Sequence, residues 1–359
     1  AFSFTEEIIS YRGRIKEIIE GYRLKHLPSA SADSKDGVVL EVNCFPAAAE
    51  LYKDGFVKKS VESAVKMAGF SLPLETILLV EDFTQHAGYS KNAEKWFNDI
   101  SNISGLNVRK RTFKEFKEEK ADIIISNSDL RFEDAARKII FSRIPCFPSP
   151  YAGWWRRSKI GTCKQIDALC KEAGINPRGI QPEYRYVLYR GSILEVTNHL
   201  KEKTAEMTKL CPEGVFVKQA SGTQGYGGMH ILYPSDYDDK DTRETLAVKR
   251  GFRGSDIHGF LIQRCMNHMK FKVQTRNEDL KLISEEERPA ELYFIMVADS
   301  DLRARIHDTF IRIGPKDCSA NLNKPGEYFK NLQQHDLNNL RITPHDFESA
   351  SLAALLAYV

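Results

Sequence analysis

Short apolar runs separated by helix-length amphipathic segments organise the first half of the chain. Ile8, Ile9, Ile15, Ile18 and Ile19 fall among charges at helical spacing, so the first thirty residues read as helix ending at the loop-like run Pro28-Ser29-Ala30-Ser31-Ala32-Asp33. Val38-Val39-Leu40 then reads as a buried strand, 57–68 as a helix, and Ile77-Leu78-Leu79-Val80 as a second strand. A helix over 92–103 and a third strand at Ile123-Ile124-Ile125 continue the alternation, which predicts a parallel α/β sheet.

Between Pro145 and Pro182 the texture changes to a proline-rich stretch, a Trp154-Trp155-Arg156-Arg157 segment and a helix closed by Gly174, a plausible domain junction. Strands are predicted beyond it at 215–218, 229–232, 260–263, 292–298 and 309–313. Their hairpin-like spacing makes this half α+β, with the charged run 276–289 read as a loop.

Composition adds constraints. A chain of 359 residues with 42% hydrophobic content can bury two or three cores. With 52 Lys and Arg against 49 Asp and Glu, the formal charge of +3 does not by itself mark a nucleic-acid binder. No apolar run is long enough to span a bilayer, and the start lacks the pattern of a signal peptide, so a cytoplasmic location is the expectation. The seven cysteines are scattered without a Cys-x-x-Cys pair and read as reduced, buried thiols; neither Cys146 nor Cys265 has a neighbouring His or acid to activate it.

The chemistry-bearing stretch is Lys218-Gln219-Ala220-Ser221-Gly222-Thr223-Gln224-Gly225-Tyr226-Gly227-Gly228. Four glycines between two predicted strands let backbone amides lie over a polyphosphate, and Lys218 at the strand end would aim an ammonium at it. A glycine-rich hairpin without a ligand has the same local pattern. A dinucleotide fingerprint should open a helix, and here a strand follows; a Walker loop ends in Gly-Lys-Ser/Thr, and Gly228 precedes Met229. No His-Arg-Asp or Asp-Phe-Gly run, as in protein kinases, appears downstream.

Lys159 ahead of a helix that ends in Ala173-Gly174-Ile175-Asn176-Pro177, Lys218 with its glycine loop, and Phe260-Leu261-Ile262-Gln263-Arg264-Cys265-Met266 occur in that order. In this order they resemble the ATP-grasp superfamily over roughly residues 145 to 325. The resemblance implies an ATP-grasp fold preceded by a parallel α/β domain. It gives nucleotide contacts to Lys159, Lys218, Ser221, Gly222, Thr223, Gln224, Gly225, Tyr226 and Gly227, and to the hinge residues Gln263, Arg264 and Cys265; most relatives have Glu where this chain has Gln263. It divides the chain into 1–70, a helix and strand segment that would complete the ATP-grasp domain, 71–150, the preceding α/β domain, and 151–359, the nucleotide-binding domain.

Such ligases hold magnesium with a Glu-x-Asn strand near the carboxyl end, where hard cations take oxygen ligands. Here the pattern is Glu41-Val42-Asn43, early in the chain. That order resembles the circularly permuted ATP-grasp ligases, eukaryotic glutathione synthetase among them; pheganomycin-type peptide ligases and amino acid–carrier protein ligases are also similar. A strand end whose Asn caps a turn is the other reading of Glu41 and Asn43. Arg23 is the counterpart of an upstream substrate arginine. The family's loop carboxylate is missing, and Asp317, Asp308 and Glu291 are candidate replacements. The run Arg312 to Gly326 resembles a family segment in which the arginine neutralises the transferring phosphate, with Asn321 and Asn323 near substrate or metal.

The activity implied is ATP-dependent and ADP-forming: a carboxylate, such as that of an amino acid, becomes an acyl-phosphate and is joined to an amine or to a carrier-protein thiol, with ATP and Mg2+ as cofactors. Catalytic charge would come from Lys218 and Arg312. A carrier protein would favour a basic entry surface, for which Arg156, Arg157, Lys159 and Lys164 are candidates; a solvated helix end explains the same run. A small-molecule kinase and an inactive nucleotide-binding regulator share the nucleotide residues and remain the alternatives.

Overall fold

The computed structural model describes residues 3–25, 27–35, 37–43, 55–80, 87–117, 120–126, 133–149, 158–220, 229–231, 233–247, 259–266, 269–276, 282–314, 328–333, 336–340 and 342–359. Helix α1 (Ser3–Gly21) leads into a hairpin of β1 (Ser29–Lys35) and β2 (Val38–Asn43). Residues 29–33 are therefore strand, where the polar sequence predicts loop. Ala30 and Ala32 are fully buried on one face, and the serines use their hydroxyls on the other. Ser29 Oγ lies 2.9 Å from Ser60 Oγ and Ser31 Oγ lies 2.7 Å from the Tyr293 hydroxyl. Small residues at period two allow close packing, and paired polar groups remove the cost of burying them.

The next elements are α2 (Phe56–Met67), β3 (Leu74–Val80), α3 (Ala87–Ser101), β4 (Leu106–Thr112), β5 (Ile123–Ser126), α4 (Glu133–Ser142) and β6 (Cys146–Phe147). Their strands form a parallel sheet in the order β4-β3-β5-β6. The predicted α/β alternation is realised because the apolar runs of β3 and β5 fill cores on both faces of this sheet.

Helix α5 (Lys159–Ala173), β7 (Tyr184–Leu188), α6 (Ile193–Thr208), β8 (Val215–Gln219), β9 (Met229–Ile231), α7 (Lys240–Ala247) and β10 (Gly259–Arg264) follow. Here the sheet is antiparallel, in the order β7-β10-β8-β9, and its core packs on α6.

The last part supplies β11 (Met269–Arg276), β12 (Leu282–Ala298), β13 (Ala304–Ile313), β14 (Tyr328–Asn331), α8 (Asp336–Asn339) and α9 (Pro344–Tyr358). These strands join the amino-terminal hairpin in one sheet, β14-β13-β12-β1-β2, with β11 also paired to β12. Leu292, Phe294 and Met296 of β12 share a core with α1 and α9, while Tyr293, Ile295 and Val297 share the opposite core with α2 and the parallel sheet. The predicted loop over 276–289 is corrected at 282–289, which is strand. That charged extension pairs with β11 and balances its charges across it, with Lys272 Nζ 2.8 Å and Gln274 Nε2 2.9 Å from Glu285. Among the described residues no helix is long and apolar enough to cross a membrane.

Candidate functional site

The polar end of one sheet face gathers the charged residues. Side chains two apart on a strand, or in register across two strands, share a face. Glu291 precedes Tyr293 by two and is the register partner of Arg312, which follows Phe310 by two. Asp33 pairs with Tyr293 on one side and with Glu41 on the other, and Asn43 follows Glu41 by two. The face is thus apolar from Val297 to Tyr293, where it packs on the parallel unit, and charged beyond, at Asp33, Glu41, Glu291 and Arg312.

Arg312 Nη1 donates to Glu291 Oε1 at 2.9 Å, and Lys35 Nζ stands 3.8 Å from Glu291 Oε2. All three are buried, so the carboxylate orients two cations in a place where water screens little. Burial lowers the Lys35 ammonium pKa, an effect that Glu291 opposes and Lys218 adds to. Asp33 has a different fate. Burial first, then repulsion from Glu291, pushes its carboxyl up to about 7, against the pull of Arg312. Its Oδ1 is buried with no hydrogen-bond partner.

The second antiparallel sheet and α5 bring their own cations to this end. Lys218 on β8 donates through Nζ to Gln263 Oε1 on the adjacent β10 at 2.8 Å, and stands 5.6 Å above the Phe216 ring. Its partner is neutral, so this bond leaves the charge of the ammonium uncancelled. Lys159 opens α5, whose cap is Ser158, with Oγ accepting from the Gly161 amide at 3.1 Å. The Lys159 amide donates to Ala220 O at 2.8 Å, fixing it beside the start of the glycine segment. Its Nζ reaches Glu41 Oε1 at 2.5 Å, which ties α5 to the β1–β2 hairpin across 118 residues of chain. Lys218 lies close enough to Asp33 and Lys35 that its charge lowers the pKa of both.

Among the described residues, then, Lys35, Lys159, Lys218 and Arg312 converge with Asp33, Glu41 and Glu291. Four cations against three carboxylates, one of them held partly protonated, leave the cluster electropositive near neutral pH and suited to a polyanion such as a nucleotide polyphosphate. Five cysteines among the described residues are free thiols. Burial pushes Cys163 up to about 12, Cys170 and Cys211 to about 11, and Cys146 and Cys265 upward as well, so none is activated as a nucleophile.

The remaining sequence candidates divide into three groups. Glu41 and Asn43 are half-buried on one face at the cluster. Gln263 is buried beneath Lys218, while the Arg264 and Cys265 amides bond to Glu183 O at 2.9 Å and Gly214 O at 3.3 Å. The Arg264 guanidinium pairs with Glu213, and Lys164 packs over Tyr186 with 4.2 Å between Nζ and the ring centroid. Arg23, expected at the substrate, is instead exposed at the opposite end of the sheet, because its neighbour Leu24 bonds to Leu302 O in the β12–β13 turn. Glu291 and that turn are separated by roughly 25 Å of strand, at about 3.3 Å per residue. Asp308 is buried with its Oδ1 accepting from the Thr309 amide at 3.0 Å, and its register partner Ile295 belongs to the apolar half of the face. Glu291, considered as a metal carboxylate, is already engaged by Arg312 and Lys35. Ser221, Gly222, Thr223, Gln224, Gly225, Tyr226, Gly227, Asp317, Asn321, Asn323, Arg156 and Arg157 lie outside the described residues.

The donor chemistry suits a hard cation. Asp33, Glu41 and Asn43 offer oxygens along one edge of the hairpin, and Asp33 Oδ1 is an orphaned acceptor. No group of three or more His, Cys, Asp or Glu among the described residues is close enough to form a metal cage. Magnesium on a nucleotide does not require one, since phosphates and waters fill most of its octahedron. Sequence reasoning missed Asp33 and Lys35. The Asp36-Gly37 pair that follows them is a two-residue hairpin signal, and it would have placed both opposite the Glu41 strand.

No family model matches the chain, and no curated protein matches it. Among solved structures, a candidate gamma-glutamylcysteine synthetase from Methylobacillus flagellatus superposes with a TM-score of 0.67, covering 99% of this chain and 95% of that one at 17% identity. A glutathione synthetase-like effector from Globodera pallida gives 0.41, covering 92% of this chain and 81% of that one at 11% identity. D-alanyl-alanine synthetase A from Vibrio cholerae gives 0.37, covering 80% of this chain and 100% of that one at 10% identity. The chain shares its fold, with parallel and antiparallel sheets, with the first of these.

Proposed function

We propose that the protein is an ATP-dependent, ADP-forming ligase that activates a carboxylate, in the first instance that of an amino acid, as an acyl-phosphate and joins it to an amine. The observation that carries this reading is the convergence of Lys35, Lys159, Lys218 and Arg312 on one end of two sheets, beside thiols that burial keeps inert. A site rich in positioned cations and poor in nucleophiles is adapted to transfer a phosphoryl group between two bound substrates. The donor carboxylate oxygen attacks the γ-phosphorus, the bond from that phosphorus to the β,γ-bridging oxygen breaks, and ADP leaves with the electron pair. The amine then attacks the acyl carbon, phosphate departs, and the amine proton passes to solvent or phosphate.

In this reading Lys218 and Lys159 hold the polyphosphate, and Arg312, oriented by Glu291, faces the group in transit. Glu41 and Asn43 would hold a magnesium ion, which supplies neutralisation of phosphate charge. The glycine segment 221–228 follows β8 in sequence and would supply backbone amides to the phosphates. The name of the same-fold relative, gamma-glutamylcysteine synthetase, supports an amino-acid carboxylate and an amine as substrates. ADP release with ATP, Mg2+ and a panel of amino acids, alone, in pairs, and with a carrier protein, tests the proposal. Turnover with an amino-acid pair supports it, turnover only with the carrier moves the acceptor to a thiol, and no turnover with any donor sinks it.

A further inference from the structure

We propose that Lys35 selects the base of the bound nucleotide: its ammonium stands at the nucleoside end of the pocket and favours guanine, which can turn two acceptors to it, over adenine. The inference rests on the nucleotide-binding part of the ligase reading and concerns a residue to which phosphoryl transfer gives no role. Lys35 ends β1 on the large sheet and is buried, with its Nζ 3.8 Å from Glu291 Oε2. That separation is long for a hydrogen bond, and the other oxygen, Oε1, accepts from Arg312 at 2.9 Å. Glu291 therefore steadies the ammonium by charge without taking up its protons.

The second sheet shows which end of a nucleotide meets Lys35. Lys218 and Gln263, joined at 2.8 Å, lie on one face of β8 and β10, with the Phe216 ring on the same face. From Phe216, β8 leads through Lys218 to the glycine segment, where Lys159 is fixed by its amide bond to Ala220 O. Phosphates held by these two lysines lie toward the glycine end. Strand β10 runs the opposite way: Leu261 is in register with Lys218, and Cys265 comes four residues later, roughly 13 Å farther from the glycine end at about 3.3 Å per residue. That is the direction in which ribose and base must extend. Lys35 reaches this end, since burial raises the Cys265 thiol and the charge of Lys35 is the largest influence opposing it, ahead of Lys218. Half-buried Phe216 and buried Met266 supply apolar surface there, as a base requires. An ammonium has three donors and no acceptor. Guanine offers O6 and N7 as neighbouring acceptors, whereas adenine sets an amino donor beside N7, and a buried cation that water screens little distinguishes the two.

Calorimetric titration of the full chain with ATP, GTP and inorganic tripolyphosphate, each with Mg2+, tests this for wild type, Lys35→Met and Lys35→Gln, with melting temperatures reporting folding. Wild type should bind GTP at least as tightly as ATP. Both variants should shift the ratio of GTP to ATP affinity toward ATP by about tenfold or more and leave tripolyphosphate affinity unchanged. A wild type that strongly prefers ATP would overturn the proposal without any variant. Equal losses for all three ligands in the variants would place Lys35 on the phosphates, and unchanged affinities beside a lowered melting temperature would make it only a counter-charge for Glu291; either result overturns the proposal and leaves the ligase reading intact. A wild type that binds none of the three would remove the nucleotide reading itself.

Discussion

Replacing Glu291 by Gln separates what Arg312 does for folding from what it does for chemistry. Glu291 accepts from Arg312 at 2.9 Å and lies 3.8 Å from the Lys35 ammonium, and the side chains of Arg312, Lys35 and Glu291 are 10%, 9% and 5% exposed. Removing one member of a buried ion pair costs about 3–5 kcal/mol, because the partner stays buried without its counter-charge. Lys35 can relieve part of this by shedding its proton, as its lowered pKa favours, so the low end, about 3 kcal/mol, is expected for Glu291→Gln. Removing both charges in Glu291→Leu/Arg312→Met replaces the pair by apolar packing, which in general is close to neutral or stabilising, and leaves Lys35 to shed its proton as burial favours. Thermal unfolding followed by circular dichroism should therefore show a clear loss in the single variant and recovery in the double. ADP release should be lost in both. A double variant that regains activity with stability would refute the catalytic role of Arg312, and a single variant as stable as wild type would refute the energetic coupling of the triad.

Lys159→Ala and Lys218→Ala should each weaken ATP binding by about 1.5–3 kcal/mol, or about tenfold to a hundredfold, measurable by calorimetry with the intact chain. In metal-free protein the Asp33 carboxyl, raised from 3.8 to about 7, holds a proton in the folded state that the unfolded chain has released. Stability should thus fall as pH rises from about 4 to about 7; Asp33→Asn should flatten that slope and be the more stable protein at pH 7.5, whereas equal slopes would contradict the assignment. Gly259 has no room for a side chain, since a Cβ there would lie 2.5 Å from Val187 O. Gly259→Ala should cost about 1–3 kcal/mol in denaturant titration and disturb the 2.8 Å bond from the Ala220 amide to Gly259 O, raising the KM for ATP.

Apolar runs such as Ile77-Leu78-Leu79-Val80 and Ile123-Ile124-Ile125 identified the parallel sheet because strands buried on both faces must be apolar throughout. The strand Ser29–Lys35 escaped that logic. Its stability comes from small residues on one side and paired hydroxyls on the other, and both look like loop composition in a linear reading. The charged start of β12 was hidden for a related reason: its partners Lys272 and Gln274 supply what burial does not. Lys159, Lys218, Gln263, Glu41 and Arg312 were singled out by a motif order that resembles a known family, and the structure brings them to one polar cluster. The approach of Lys35 to Glu291 depends on β1 lying beside β12, a contact between residues more than 250 positions apart that periodicity does not encode, and the pairing of Glu291 with Arg312 depends on the β12–β13 register.

Hydroxylamine trapping bears most directly on the central claim. The protein, incubated with ATP, Mg2+, hydroxylamine and an amino-acid panel, should form a hydroxamate of one donor in step with ADP, because an acyl-phosphate bound beside Lys218 and Arg312 is open to a small nucleophile. ADP formation that leaves the phosphoryl group on a stable hydroxyl ester, with no hydroxamate from any donor, would contradict the account.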